Sequence, residues 1–253
     1  MVRGFYSAAA GVFGQQKSFN TIANNISNAS TSGFKSQGTI ESSFGDHLVA
    51  RMSSDANMNE KNIGNGSFMT VNSTTYTDFS QGVLEETGRS VDLAIEGEGF
   101  FLIRTKTEGD VLSRNGQFEI DSDGELALLG VGKVLDGSKN PIGLKSIDFT
   151  VDKQGNLKEG ETAAGTLFIA AQGDQEKLVS TGKGSYKSEA DYVQATSGTF
   201  SIEQGALEKS NMNISQEMSK IIAGQNRYNS CSQILKIYDR INEMTVNQIG
   251  RIG

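Results

Sequence analysis

The chain has 253 residues, 36% of them hydrophobic, with 30 glycines and a formal net charge of −7. That acidic balance, with no cluster of Lys and Arg, argues against a nucleic-acid binder. A single Cys231 excludes an internal disulfide, and no apolar run approaches the roughly 18 residues that a membrane span needs.

The first predicted element is a helix. Phe5, Val12, Phe19 and Ile26 recur every seven residues, with Ala8, Gln15 and Ile22 three positions further on and Ala9, Gln16 and Ala23 four. This is a narrow seam close to an a/d pattern, built largely of small residues. It stops in the polar run Ser27-Asn28-Ala29-Ser30-Thr31-Ser32-Gly33, where short side chains compete for backbone hydrogen bonds. At 1.5 Å per residue the helix is about 38 Å long. Its apolar stripe has nothing adjacent in sequence to cover it. Arg3 and the small, partly apolar stretch to Gly14 imitate a secretory signal, but the seam runs on unbroken to Ile26, so no cleaved signal is expected.

Residues 34–81 are long, polar and weakly patterned, and predict an extended arm or β-ribbon. Within it, the stretch from Ser53 to Asn62 has no large aliphatic or aromatic residue, Ile63-Gly64-Asn65-Gly66 reads as a turn, and Thr70 to Thr77 is strand-prone.

Residues 82–205 predict a β domain. Strands are expected at Leu93-Ala94-Ile95, Phe100 to Ile103, Val111-Leu112, Gln117 to Ile120, Leu126 to Leu128, Lys133 to Leu135, Ser146 to Val151 and Thr166 to Ala171. Short strands with closely spaced turn signals indicate an all-β sandwich or open barrel. Two internal echoes mark its organisation. Ile120-Asp121 through Gly124 to Leu126 repeats as Val151-Asp152 through Gly155 to Leu157, which predicts two similar turns. Gln81-Gly82-Val83-Leu84-Glu85 repeats as Gln204-Gly205-Ala206-Leu207-Glu208, which predicts that the chain comes into and leaves the domain through strands lying side by side.

From residue 206 to 253 the period becomes helical, with Ser210-Asn211 as caps. Ile214, Met218, Ile221, Tyr228, Leu235 and Tyr238 form a stripe, widened by Ile222, Cys231 and Ile234 and carried on with a drift of phase through Ile241, Met244, Ile249 and Ile252. The fold class is therefore α+β: an all-β domain inserted between two long terminal helices that pair as a coiled coil.

No catalytic residue, cofactor or metal is expected. His47 is the only histidine, Cys231 lies on the apolar stripe, and Asp121-Ser122-Asp123-Gly124-Glu125 places its glycine too early for a Ca²⁺ loop. The glycines at Gly97 and Gly99 are not followed by a helix, and Gly132-Lys133 and Gly182-Lys183 lack the hydroxyl residue of a P-loop. A membrane surface would demand a more basic first helix than one carrying Arg3 and Lys17. Self-association buries both stripes, and a head-to-tail contact that does not close makes a helical filament. The predicted assembly interface comprises Phe5, Ala8, Val12, Phe19, Ile22 and Ile26, with Ile214, Met218, Ile221, Tyr228, Leu235, Tyr238 and Ile241.

Several stretches resemble the signatures of bacterial flagellar rod and hook proteins. They are Met1-Val2-Arg3-Gly4-Phe5-Tyr6-Ser7-Ala8-Ala9-Ala10-Gly11, Ile22-Ala23-Asn24-Asn25-Ile26-Ser27-Asn28 and Thr31-Ser32-Gly33-Phe34-Lys35 at the start of the chain. Asp92 to Phe101 and Arg114-Asn115-Gly116-Gln117-Phe118 are similar to that family's β-domain motifs, and Gly205 to Asn213 to its passage into the last helix. The chain departs from the family at Gln225-Asn226-Arg227-Tyr228-Asn229, where a Gln-Arg-Ala-Tyr-Glu-like run is usual. The resemblance implies a basal-body rod subunit, of the distal G type or the proximal F type, with the long polar arm favouring G. It implies export through the flagellar export apparatus without a cleaved signal, and assembly in the periplasm into a torque-transmitting tube. The partners implied are further copies, other rod subunits, the hook protein, and the surrounding rings or peptidoglycan. From another class, a cell-envelope adhesin or wall-binding β module with coiled-coil ends is the alternative; an enzyme comes third.

Overall fold

The computed structural model describes residues 2–43, 47–51, 61–66, 70–106, 109–171, 173, 178–182, 184–188, 192–196 and 198–249. They divide into two compact units, one of residues 1–26, 37–77 and 213–253, the other of residues 27–36 and 78–212. Most of the polar stretch Ser53 to Asn62 and the stripe residue Ile252 lie outside the described residues.

The first unit holds both helices. Helix α1, Val2–Ser27, ends at the polar run that the sequence marks as a breaker. Strand β1, Gln37–Ser43, follows, then β2, His47–Arg51, β3, Lys61–Gly66, and β4, Thr70–Thr77. Strands β1 and β4 form an antiparallel ribbon running from Gln37 opposite Thr77 to Ser43 opposite Thr70, with an irregularity at Ile40 and Glu41. The turn expected at Ile63–Gly66 is instead strand, because β3 pairs with β2 and cross-strand pairing overrides the weak strand propensity of Gly64 and Gly66.

The second unit is almost entirely β. In chain order its strands are β5, Leu84–Glu86; β6, Leu93–Gly97; β7, Phe100–Thr105; β8, Asp110–Ser113; β9, Phe118–Ile120; β10, Leu126–Leu128; and β11, Gly132–Val134. There follow β12, Thr150–Val151; β13, Asn156–Glu159; β14, Thr162–Thr166; β15, Ile169–Ala170; β16, Leu178–Gly182; β17, Ser185–Ser188; β18, Phe200–Gln204; and β19, Ala206–Glu208. The main sheet runs β16-β17-β8-β7-β11-β10-β9, with β15 also on β7, and every pairing is antiparallel.

Strand β7 explains the core. Its run Phe100-Phe101-Leu102-Ile103 is fully buried because the sheet carries apolar side chains on both faces. Phe101 and Ile103 pack with Leu93, Ile95, Phe118 and Leu126. Phe100 and Leu102 pack with Phe79, Leu135, Phe168 and Tyr186.

Both echoes are structural. Asp121 and Asp152 open twin turns in which Gly124 N–H and Gly155 N–H donate back to the aspartate carbonyls at 2.9 and 3.0 Å. In each the glycine takes a positive φ, 75° and 87°, that a side chain would resist. The other echo pairs with itself: β19 lies antiparallel to β5, Leu207 opposite Glu85 and Glu208 opposite Leu84.

Two expected strands are cut short. Of Ser146–Val151 only Thr150 and Val151 are strand, because the Ser146 hydroxyl captures Asp148 N–H at 3.2 Å and turns the chain. The stretch Thr166–Ala171 is shared between the end of β14 and β15.

Helix α2, Ile214–Ile249, belongs to the first unit. Its cap is Asn213, rather than Ser210 or Asn211: Asn213 Oδ1 accepts Ser215 N–H at 3.0 Å and Gln216 N–H at 3.3 Å. Asn211 is occupied elsewhere, as described below.

Candidate functional site

The helices of the first unit meet along one line of contacts. Phe5 lies edge-on to Tyr238 with ring centroids 6.4 Å apart, and Phe19 lies 6.4 Å from Tyr228. Between them Gly11 packs under the Cys231 sulfur, and Gly224 under the Phe19 ring and Gln15. At the far end Asn25 Nδ2 donates to Glu217 at 3.4 Å. The order of these contacts makes the helices antiparallel. The small residues of the seam allow the close approach, and Ala8 and Ile22 are buried. Asn25 also secures the ribbon, exchanging hydrogen bonds of 2.8 and 2.9 Å with the Gln37 backbone. Glu217 is sealed by Lys220 Nζ at 2.6 Å.

Of the predicted interface residues, this line brings together Phe5, Ala8, Phe19, Ile22, Tyr228 and Tyr238. Val12, Ile26, Ile221 and Leu235 are half-buried. Ile214, Met218 and Ile241 stay exposed. Other apolar residues join them in water, notably Phe13 at 71%, Ile222 at 62% and Ile237 at 58% exposure. At 100° per residue, α2 then has three faces about 120° apart. One, with Glu217, Gly224, Tyr228, Cys231 and Tyr238, meets α1. A second, in the first half of the helix, carries Ile214, Met218 and Ile222; the third, in the second half, carries Ile234, Ile237, Ile241 and Met244. This division is the physical content of the phase drift.

The second unit contains a buried charge cluster that sequence reasoning did not assemble. Lys35, Arg114 and Glu208 are 1%, 3% and 1% exposed. Lys35 Nζ donates to Glu208 Oε1 at 2.6 Å and to Ser80 O at 2.7 Å. Arg114 Nη1 reaches Glu208 Oε2 at 3.3 Å. One carboxylate thus serves two cations, and carbonyl oxygens accommodate the rest of the positive charge: Arg114 donates to Ile95 O at 3.2 Å and Gly97 O at 2.7 Å, and its guanidinium lies 5.3 Å from the centre of the Phe100 ring. Burial lowers the pKa of both Lys35 and Arg114, against the opposing pull of Glu208. Gly33 makes the approach possible. It has φ +67°, and a Cβ there would stand 2.3 Å from the Arg114 carbonyl carbon. The only advance signal was that each of these charges sits inside a stretch that resembles a family motif. Among the described residues, no group of His, Cys, Asp and Glu is placed to hold a metal ion, and no helix is long and apolar enough to cross a membrane.

Three family models match the chain in order and together span more than half of it. Residues 5–35 match the flagella basal body rod protein, residues 94–159 the flagellar hook protein FlgE/F/G D1 domain, and residues 203–249 the flagellar basal body rod FlgEFG protein C-terminal. The chain belongs to the flagellar basal-body rod protein family, G or F type. Relatives of this family align over nearly their whole length. The flagellar basal-body rod protein FlgG of Bacillus subtilis is 29% identical over 98% of this chain and 99% of its own. FlgG of Borreliella burgdorferi is 29% identical over 95% and 96%, and FlgF of Caulobacter vibrioides 26% over 94% of each. The family is structural, and the chain is not an enzyme. Each of the three matched stretches contributes one residue to the buried cluster: Lys35, Arg114 and Glu208.

Proposed function

We propose that this chain is a structural subunit of the flagellar basal-body rod, polymerising through its two helices into a tube that transmits torque from motor to hook. The observation that carries the reading is the pair of apolar patches left on α2 beyond its contact with α1. They lie on different flanks and different halves of the helix, so neither is complementary to itself. Such surfaces favour a heterologous contact that repeats without closing. In the assembled state α1 and α2 act as a coiled-coil pair, and copies pack on the outward faces. Of the residues predicted above, those in the α1–α2 contact hold the pair together, and Ile214, Met218 and Ile241 join Tyr6, Phe13, Ile222 and Ile237 in the contact between copies.

The distal G type is favoured by the long arm, part of which forms the β1–β4 ribbon. As a rod subunit the chain passes through the export apparatus without a cleaved signal, occupies the periplasm, and contacts other rod subunits, the hook protein and the surrounding rings or peptidoglycan. The alternative of an envelope adhesin has no observation in its favour.

The test substitutes one outward residue on each helix that takes no part in the α1–α2 contact. Phe13→Asp and Ile222→Asp are expected to leave the purified monomer's thermal unfolding within a degree or two of wild type, yet to abolish rod assembly and motility in a complemented null strain. Normal motility of both variants would overturn the reading.

A further inference from the structure

Glu208 holds more of the second unit together than any neighbour does. Its carbonyl oxygen accepts Gly33 N–H at 2.7 Å, and its carboxylate accepts Lys35 Nζ at 2.6 Å, Gly82 N–H at 2.8 Å and Arg114 Nη1 at 3.3 Å. Asn211, three residues on, works on the same segments from the other side. Its Oδ1 accepts Ser36 N–H at 2.8 Å, and its Nδ2 donates to Asp78 O at 2.8 Å and Ser80 O at 3.1 Å. Asp78 N–H in turn donates to Ser36 O at 2.8 Å. Three stretches far apart in sequence, 33–36, 78–84 and 206–211, are thereby tied into one knot.

The knot differs in kind from the sheet beside it. Strands β5 and β19 pair with each other as a separate two-stranded sheet, outside the eight-stranded one. Among the knot's residues, Phe34, Phe79 and Ala206 are the buried apolar side chains, and of these only Phe79 belongs to a hydrophobic cluster of the sheet, its ring lying 5.6 Å from Phe100 and 5.2 Å from Tyr186. The knot is held chiefly by polar bonds converging on two side chains. A region with few buried apolar contacts and a shared set of hydrogen bonds is the kind that opens cooperatively below the global unfolding free energy.

We propose that residues 33–36, 78–84 and 206–211 form a latch that opens and closes as one cooperative unit, bolted by Glu208, while the eight-stranded sheet stays folded. The chain passes from one unit to the other four times, after Ile26, after Ser36, before Asp78 and after Met212, and the last three of these passages adjoin the latch. The bolt comes late in the chain, so the buried cations Lys35 and Arg114 lack their counter-charge until residue 208 is in place. The inference does not depend on polymerisation.

Hydrogen exchange of the full-length protein, read by mass spectrometry in low urea, tests it. In the wild type, peptides covering 31–36, 78–86 and 204–212 are expected to exchange at one shared rate, faster than peptides covering β7 and β8. In Glu208→Gln all three should exchange about 100-fold faster, in line with the loss of a buried ion pair, with little change in β7 and β8. Asn211→Ala, which strands no buried charge, should accelerate the same three peptides together by about tenfold, and it decides the matter if Glu208→Gln does not fold. Unequal rates in the three peptides, acceleration confined to 209–213 in Asn211→Ala, or equal acceleration of the sheet would each overturn the latch.

Discussion

The helical unit and the β unit treat their apolar and charged residues in opposite ways. In the β unit Phe100, Phe101, Leu102 and Ile103 are wholly buried, and even Lys35, Arg114 and Glu208 are sealed and paired with one another, Arg114 Nε being left without a hydrogen-bond partner. In the helical unit only one face of each helix is engaged, and Phe13, Ile222 and Ile237 remain largely in water. A chain that buries charges in one region while leaving phenylalanine exposed in another is not short of folding information. The β unit buries a continuous core and leaves scattered single residues such as Val83, Leu129 and Val193 in water, whereas the exposed apolar residues of α2 gather into patches.

The sharpest way to break this comparison is at the bolt. Glu208→Ala leaves two buried cations without a carboxylate and should lower the opening free energy of the latch by about 4–5 kcal/mol, measured as faster amide exchange in peptides covering 31–36, 78–86 and 204–212, with β7 and β8 little changed. A change below about 1 kcal/mol would mean that the cluster is open to water. Next comes the same substitution in both units. Phe101→Ala, in the core, should cost about 3–5 kcal/mol, whereas Phe13→Ala should change monomer stability by no more than about 0.5 kcal/mol. Comparable losses from both would erase the contrast between a finished and an unfinished surface.

A third test uses alkali. Burial raises the Tyr186 phenol from an ordinary value near 10 to about 12. The folded state therefore keeps a proton that the unfolded chain releases. This contribution is fully present below pH 10, is lost as the pH rises through about 12, and amounts to roughly 2–3 kcal/mol. Lys35, whose pKa burial lowers, works in the opposite sense up to the ordinary lysine range, so the fall is cleanest at the upper end of the window. Alkaline unfolding of wild type against Tyr186→Phe checks it, the variant being expected to lose this part of the decline. The smallest effect belongs to the helical unit: Asn213→Ala removes the α2 cap and should cost about 1 kcal/mol, visible as a loss of helical circular dichroism with the β-sheet amides unaffected.

What the sequence determined by itself was mostly local and periodic. The seven-residue spacing from Phe5 to Ile26 marked the first helix, and α1 ends at Ser27 where the polar run begins, because a helix is written in the period of its own side chains. The run Phe100–Ile103 marked a strand, which the structure buries on both faces, and the aspartate–glycine echoes specified two turns whose geometry depends on four or five residues. Even one long-range pairing was legible, since the repeated Gln-Gly-x-Leu-Glu segments lie side by side as β5 and β19. Where local signals competed with partners, they lost: Ile63–Gly66 looked like a turn until β2 supplied a ladder, and Ser146 stopped a strand by bonding Asp148. Only the tertiary structure decided which apolar residues of α2 face α1 and which face water, because the stripe's drift has no meaning until a second helix defines a front. It alone brought Lys35, Arg114 and Glu208 together. A charge in a sequence carries no mark of its distant partner, and burial, which makes the pairing obligatory, exists only once the chain has folded.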